Sequence, residues 1–395
     1  MMDSQQQQPA DKGGPLVGYR VLDLSVNVLG PVATQILGDM GADVIKVETP
    51  DGDYTRQVGP SLGPKMGALF LNTNRNKRSI VLDLKTPEDK ETLLELVRSA
   101  DVLVHSMRPG AADRLGIDYE TISAVNPRII YASASGYRLD SDRRDWPAFD
   151  DVIQGASGVA GMMNRATGEP RYFPTVIADK LCGYILSSSI SMAFVWRERT
   201  GRGQQVNVPM MDAMVGFNLI EHLWGATVDK PELGLGYSRV FSPHRRPYPT
   251  QDGHICVMAV MDGQWLRLFD AIERPELGRD PRFANAELRT KHIDELYGAL
   301  AEAVATKTTA EWRRRFDLAD VPNGPANDLE DLLTEPYLVE TGYFQRHEQA
   351  EGVYVSPRIP VQFSDSPGQV RRLPPRLGEH TEEVLSEMRA QRPEA

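Results

Sequence analysis

The sequence predicts an α/β protein in which parallel strands alternate with helices, and three observations support this prediction. Short apolar runs of strand length recur between residues 19 and 133, with amphipathic segments of helical length between them. Proline and glycine stand where helices begin and end. The chain has 395 residues, enough for two domains. We therefore expect a sheet with helices on both faces and a second domain.

The first strand, helix and strand are predicted close to the N-terminus. Residues 19–25 form an apolar run typical of a strand, and residues 31–40 carry apolar side chains at helical spacing. Pro31 suits the first helical position and Gly41 suits the helix end. Residues 41–48 then form the next predicted strand.

Three further strands are predicted at residues 78–84, 101–105 and 128–133. A helix should begin directly after the first of them. Thr86 can cap it, and Pro87 can occupy its first position.

The loops of this region favour binding, although no nucleotide motif is present. The loop of residues 49–67 is rich in glycine and proline and is typical of a binding loop. Neither a Gly-x-Gly-x-x-Gly nor a Walker sequence follows any strand, which disfavours a dinucleotide or ATP. Positive charge at 74–78, Lys85, 106–110 and Arg114 could neutralise phosphates or could simply be solvated surface charge.

A long apolar helix is predicted from residue 176 to 199, and its first turn contains an acidic residue, Asp179. Asp179 and Lys180 are its only charged residues before Arg197, so most of its circumference is expected to be buried. Asp179 could cap the helix, or it could be a poorly hydrated nucleophile or base. The two explanations are compatible. Cys182, one turn further on, is predicted to be a buried small hydrophobe rather than a reactive thiol.

Changes in amino-acid composition and in the predicted elements along the chain indicate its domains. Residues 1–14 are expected to be a disordered tail, residues 15–224 a large α/β domain, and residues 225–330 a smaller α+β domain. Residues 331–395 are expected to return to the large domain. The small domain should contain a hairpin around 252–253 and helices at 263–272, 292–305 and 309–318.

Composition excludes several functional classes. A net charge of -11 argues against nucleic acid or an anionic membrane as partner. The sequence shows neither a membrane span nor a signal peptide, so we expect a cytoplasmic protein. The 2 cysteines and 7 histidines form no metal-ligand cluster, so no metal site is expected.

A set of short motifs resembles the class III CoA-transferase family. The motifs occur in the family's order between about residues 15 and 390, which makes chance a poor explanation. They include residues 21–24 (VLDL), 41–48 (GADVIKVE), 82–88 (LDLKTPE), 108–110 (RPG), 114–116 (RLG), 126–128 (NPR), 199–204 (RTGRGQ) and 377–380 (LGEH).

The resemblance implies a Rossmann-like large domain, a small domain, and a homodimer whose protomers are interlocked like links of a chain. It implies an enzyme that uses acyl-CoA and a small carboxylic acid as substrates, with no permanently bound cofactor. The family's catalytic aspartate falls on Asp179. Its CoA contacts fall on Leu82, Lys85, Ser106, Met107, Arg108, Arg114, Phe149 and Asp150.

Departures from family patterns limit the substrate and leave alternatives open. Formyl-CoA transferase has a glycine run over its active site, where this chain offers only residues 261–264, and a glutamine where this chain has Val28. Formyl-CoA and oxalate are therefore not expected substrates. The same family also contains α-methylacyl-CoA racemase, which has a catalytic histidine at the place of Phe149. Phenylalanine cannot transfer a proton, so a transferase is favoured over a racemase. A non-catalytic CoA-binding paralogue is the third possibility, against which the presence of Asp179 argues.

Overall fold

Six parallel strands form the central sheet within the described residues, 13–349 and 351–390, of a computed structural model. Their order is β3-β2-β1-β4-β5-β6, the order of the doubly wound nucleotide-binding sheet. The predicted α/β fold with a parallel sheet is therefore confirmed. The strands are β1 (Arg20–Asp23), β2 (Asp43–Glu48), β3 (Lys77–Val81), β4 (Val102–His105), β5 (Ile130–Ser135) and β6 (Gln204–Pro209). The tail predicted at residues 1–14 lies outside the described residues except for Gly13 and Gly14.

Helices cover the sheet and make up much of the remaining chain. They are α1 (Leu29–Asp39), α2 (Ala68–Thr73), α3 (Pro87–Arg98), α4 (Pro109–Leu115), α5 (Tyr119–Val125), α6 (Asp150–Ala156), α7 (Val159–Thr167), α8 (Ile177–Thr200), α9 (Met210–His222), α10 (Ser238–Phe241), α11 (Asp262–Ala271), α12 (Ala286–Lys291), α13 (Ile293–Val304), α14 (Thr309–Leu318), α15 (Pro336–Glu340) and α16 (Thr381–Ala390). The remaining strands are β7 (Tyr248–Pro249), β8 (His254–Val257), β9 (Asn323–Pro325), β10 (Phe344–Gln349) and β11 (Gly352–Pro357).

Local capping explains where α3 begins. The Thr86 hydroxyl accepts a hydrogen bond from the Asp89 N–H, and Pro87 is the first helical residue, as the sequence predicted. By contrast, α1 begins at Leu29, two residues before the proline that was expected to start it. Helix α1 packs along α8, with the backbone of Leu29 close to Gly183, where a Cβ would lie 2.8 Å from the Leu29 oxygen. A glycine is needed there because no side chain fits between the two helices.

The chain divides into two compact units. The first unit comprises residues 1–157, 174–216 and 342–395, and the second comprises residues 158–173 and 217–341. The predicted small domain, residues 225–330, lies inside the second unit. Helix α7, which the prediction placed in the large domain, also belongs to the second unit.

The second unit has its own core beside a three-stranded antiparallel sheet. Strand β7 pairs with β8 around the predicted turn at 252–253, and β8 pairs with β9. Trp312 and Phe316 of α14 stack on each other and are fully buried. The predicted helix at 309–318 is confirmed to the residue, and its Thr308 and Glu311 form a capping box.

Charged side chains of strands β1 and β3 are buried, which the apolar patterns of the strands did not predict. Lys77 Nζ lies 2.9 Å from Asp23 Oδ2, and both side chains are fully buried. Burial lowers the pKa of Lys77 to about 8 despite the neighbouring Asp23. Burial alone would raise the pKa of Asp23, but Lys77 and Lys46 hold it well below its usual range. Asp23 is therefore ionised at neutral pH.

One face of α8 is exposed in the single chain, although the sequence predicted that most of the circumference of this helix is buried. Tyr184, Met192 and Trp196 are 56%, 70% and 51% exposed in the single chain. Their spacing of eight and four residues places them on one face, because 3.6 residues make a turn. The apolar periodicity thus identified the helix but not what covers it. None of the helices within the described ranges is long and apolar enough to cross a membrane.

Candidate functional site

A cavity of about 670 Å³ lies in the first unit where β1, β4 and β5 end. Residues 26–29 after β1, 106–108 after β4 and 134–136 at the end of β5 line it. Strands β1 and β4 are neighbours in the sheet although two other strands separate them in the chain. The helices after them leave the sheet in different directions, and open α/β sheets bind ligands in the crevice so formed.

Asp179 lies on the wall of this cavity, two residues into the first turn of α8. Its backbone N–H donates a 2.9 Å hydrogen bond to Oδ2 of Asp150, the first residue of α6. Asp150 is only 6% exposed, and its other carboxylate oxygen accepts a hydrogen bond from Gln154. Asp150 therefore accepts a hydrogen bond from the N-terminus of α8, and Asp179 is the acidic residue in the first turn of that helix.

The surroundings of Asp179 make its carboxylate unusually basic. Burial, and after it the negative charge of Asp150, raises the pKa of Asp179 to about 7. The same two effects act on Cys182, whose pKa is raised to about 12 by burial and by the neighbouring acids. Cys182 is fully buried, so the prediction of an unreactive thiol is confirmed.

Buried polar contacts hold the turn that follows β1. The Asn27 N–H donates to Asp53 Oδ1 at 3.3 Å, and Lys46 Nζ contacts both Asp53 Oδ2 at 3.0 Å and the Ser25 carbonyl oxygen at 2.9 Å. Asn27 has a φ of 65°, in the left-handed region that asparagine tolerates better than most residues. The N–H of Val26 donates to the Ser106 hydroxyl at 3.2 Å, which joins the two strand ends. The cavity floor is therefore held in one conformation.

The first turn of α1 faces the same cavity. Its N-cap residue, Val28, supplies no side-chain cap, and both Val28 and Leu29 line the cavity. Backbone N–H groups at a helix N-terminus lack intrahelical partners and favour negative charge. This end of the cavity is therefore suited to oxygen anions.

The structure brings most of the predicted site residues together. Six of them line the cavity: Ser106, Met107, Arg108, Phe149, Asp150 and Asp179.

Three other predicted residues do not line the cavity. Leu82 is 3% exposed, and its side chain is part of the core between the sheet and α3. Lys85 and Arg114 are exposed on the surface outside the cavity. Their predicted contacts with CoA stay predictions, and for Leu82 only the backbone is available to a ligand.

Sequence reasoning missed several residues that line the cavity. Arg144 adds positive charge and pairs with Asp113 at 2.8 Å, while Trp146 and Tyr54 add aromatic surface. Arg144 sits in a run of mixed charges that is typical of solvated surface, so no local pattern singled it out. Trp146 lies three residues before Phe149, one of the CoA contacts that the resemblance implies, and that proximity was the only available signal.

The described residues contain no group of three or more His, Cys, Asp or Glu side chains that could hold a metal ion. The cavity therefore offers carboxylates, arginine and backbone N–H groups as its chemistry. An acid with a raised pKa at such a site is the kind of group that enzymes use as nucleophile or base.

Comparisons with known proteins agree with this chemistry. A family model described as CoA-transferase family III matches residues 16–381. The chain is 33% identical over 390 residues to a succinate–glutarate CoA-transferase of Agrobacterium fabrum, an alignment that covers 95% of this chain and 96% of the relative. It is 35% identical over 394 residues to an acetyl-CoA:oxalate CoA-transferase of Acetobacter aceti, with 98% of both chains covered.

A solved structure with a similar fold covers nearly the whole chain. The crystal structure of a CAIB/BAIF family protein from Brucella suis superposes with a TM-score of 0.79 at 29% sequence identity. The match covers 95% of this chain and 100% of that chain.

Proposed function

Because the chain belongs to CoA-transferase family III, as its motifs predicted, we propose that it moves CoA from an acyl-CoA donor to a carboxylic acid through a covalent intermediate on Asp179. The observation that carries the proposal is the Asp179 carboxylate itself. It lies in a cavity at the sheet's switch point, and burial and Asp150 raise its pKa to about 7. A poorly hydrated, basic carboxylate is a better nucleophile than a solvated one.

The proposed reaction begins with attack of Asp179 on the thioester carbonyl of the donor. The C–S bond breaks, CoA leaves as a thiolate, and a mixed anhydride of Asp179 and the donor acid forms. The thiolate then attacks the aspartyl carbonyl, which releases the donor acid and leaves an aspartyl-CoA thioester. The acceptor carboxylate repeats both steps in reverse and leaves as acyl-CoA. Each step exchanges one acyl bond for another, so no net proton transfer or external cofactor is needed.

Two groups at the cavity suit the charge that develops in these steps. The first turn of α1 presents backbone N–H groups without a side-chain cap, which would stabilise an oxyanion. Arg108 and Arg144 line the cavity and would attract the anionic parts of CoA and the acid. Asp150 would orient Asp179 through its backbone and keep its pKa high.

The experiment that tests this proposal traps the intermediate. The protein is incubated with a panel of acyl-CoA thioesters and hydroxylamine, and its peptides are analysed by mass spectrometry. We expect a hydroxamate on Asp179 with at least one donor, which would also identify that donor. A hydroxamate on another residue, or its absence together with deuterium exchange at the acyl α-carbon, would refute acyl transfer and favour the racemase alternative.

The pH dependence of the reaction should follow the ionisation of Asp179. The carboxylate is the nucleophile and its pKa is about 7, so kcat/KM should rise with pH below 7 and level off above about pH 8. In Asp150→Asn the burial of Asp179 remains but the like charge is lost, so this rise should move to lower pH. Asparagine keeps an oxygen that can accept from the Asp179 N–H.

The matched control for this pH profile is Asp151→Asn, since Asp151 lines the same cavity, is exposed, and does not contribute to the shift at Asp179. Its profile should coincide with that of the native enzyme. A profile of Asp150→Asn that also coincides with the native one would contradict the proposed role of Asp150.

The acid substrates are proposed from the relatives only at the level of class. The two named relatives act on succinate and glutarate, and on acetyl-CoA and oxalate, respectively. Short carboxylic acids are therefore the first candidates for donor and acceptor. The absence of a glycine run argues against formyl-CoA and oxalate themselves, and this stays a prediction.

We further propose that two protomers interlock, and the exposed face of α8 supports an association. Tyr184, Met192 and Trp196 form an apolar surface that a single chain would expose to water at a cost. Met192→Glu combined with Trp196→Glu should therefore reduce the dimer fraction, measured by size-exclusion chromatography with light scattering. Arg313→Glu, which reverses an exposed charge on α14, away from α8, is the control and should stay dimeric. A double variant that remains fully dimeric would remove α8 from the interface.

A further inference from the structure

The second unit contains a cavity of its own, of about 600 Å³, at the edge of its three-stranded sheet. Residues 245–248, 256–258 and 322–324 line it, together with Arg239 and Tyr297. We call it the arginine cavity because Arg239, Arg245 and Arg246 all contribute to its wall. Its volume is within the range of small-molecule binding sites.

The charge of the arginine cavity is unusual for this protein. The chain has a net charge of -11, yet no described residue that lines this cavity is acidic. Among the described residues, Arg239, Arg245 and Arg246 form no ion pair with a carboxylate. Other arginines of the same unit do form such pairs, namely Arg267, Arg274, Arg282, Arg289 and Arg315. The positive charge of this cavity is thus left uncompensated by the described residues.

Arg239 is held in place by neutral groups. Its Nε donates a 2.7 Å hydrogen bond to the hydroxyl of Tyr297, and its Nη2 lies 3.2 Å from the sulfur of Met258. Tyr297 is 5% exposed and is part of the core of the second unit. A hydroxyl and a thioether orient the guanidinium without neutralising it, so its charge remains available to a ligand.

We propose that the arginine cavity binds a small anion with two or more negative charges, through carboxylate or phosphate oxygens. Arginine binds both groups with paired N–H···O hydrogen bonds, and three unpaired cations in one cavity favour more than one negative charge. Two sources of such an anion exist if the proposed function is right, namely a dicarboxylic acid substrate and the phosphates of CoA. The binding itself does not depend on chemistry at Asp179.

Isothermal titration calorimetry at constant ionic strength tests this proposal with three probes. Glutarate represents a dicarboxylate, adenosine 3′,5′-bisphosphate represents the phosphates of CoA, and butyrate is the monoanionic control. The test variant is Arg245→Gln with Arg246→Gln; both side chains are exposed, so the fold should be retained. The matched control is Arg313→Gln with Arg314→Gln, which removes the same charge from exposed positions on α14, outside the cavity.

We expect at least one dianion to bind the native protein saturably and more tightly than butyrate. Its Kd should rise about tenfold or more in the cavity double variant, and less than about twofold in the α14 double variant. If the cavity double variant binds only glutarate more weakly, the cavity is assigned to the acid substrate. If it binds only the bisphosphate more weakly, the cavity is assigned to CoA. The proposal is overturned if neither dianion binds the native protein, or if both double variants weaken binding equally. If the dianion binds as expected but the hydroxylamine experiment refutes acyl transfer at Asp179, the proposed function fails while the arginine cavity remains an anion site.

Discussion

Asp179→Asn is expected to lower kcat by roughly 10³-fold or more, because the variant lacks the carboxylate that forms the proposed covalent intermediate. The amide keeps the size of the side chain, so the cavity and the CoA contacts should persist. We expect the Kd for CoA, measured by calorimetry, to change little while steady-state turnover is lost. Asp179→Ala should behave in the same way, which separates loss of the nucleophile from any reaction of the amide.

Asp179→Asn should also change how the free energy of unfolding depends on pH, and this measurement shows whether the variant is folded. The pKa of Asp179 is about 7 when folded against a usual 3.8, so folding becomes less favourable as pH rises from about 4 to 7 and the buried group ionises. Asp179→Asn removes this cost. Its free energy of unfolding should exceed that of the native protein by about 1–3 kcal/mol above pH 7, and the difference should vanish below pH 4. Near-normal turnover in a folded variant would show that Asp179 is not the nucleophile.

Lys77→Met should be the most destabilising substitution of those considered, with a loss of about 3–5 kcal/mol in the free energy of unfolding. Lys77 and Asp23 are fully buried, and Lys77 Nζ also bonds the Asn74 side chain at 2.8 Å and the Pro31 carbonyl oxygen at 2.9 Å. Without Lys77, the Asp23 carboxylate loses one of the two cations that keep it ionised in the interior. Chemical denaturation monitored by circular dichroism measures the loss.

A control variant and a double variant test the cause of this loss of stability. Lys85→Met removes an exposed lysine and should change stability by less than about 0.5 kcal/mol. Combining Lys77→Met with Asp23→Asn removes the uncompensated charge, so the double variant should be more stable than Lys77→Met alone. If the double variant is instead the less stable of the two, the cost does not come from the unpaired carboxylate.

Helix starts and strand positions could be predicted because their causes are local. Thr86 and Pro87 begin α3 where the sequence placed them, since a cap and a first-turn proline act within a few residues. Asp179 could be singled out for a similar reason, as an acid at the start of an apolar helix with a family motif around it. The family resemblance also gave Ser106 and Asp150, which line the same cavity.

The electrostatics of the site could not be predicted in the same way. Asp150 meets the backbone of Asp179 across 29 residues of chain, and that contact decides both the cap of α8 and part of the raised pKa. Arg144 reaches the cavity from a charged loop that resembles ordinary surface. Residue type gives the charge of each group, but its pKa depends on which groups surround it after folding.

By itself, the sequence determined the fold class, the membership in CoA-transferase family III and the identity of Asp179 as the candidate nucleophile. These rest on periodicity, capping and motif order, all of which are read along the chain. Only the tertiary structure decided that Asp23 and Lys77 are buried as a pair, that one face of α8 is exposed, and that three arginines share a cavity. The physical reason is that strand order and helix packing bring distant residues together, and burial, pairing and pKa are properties of those contacts.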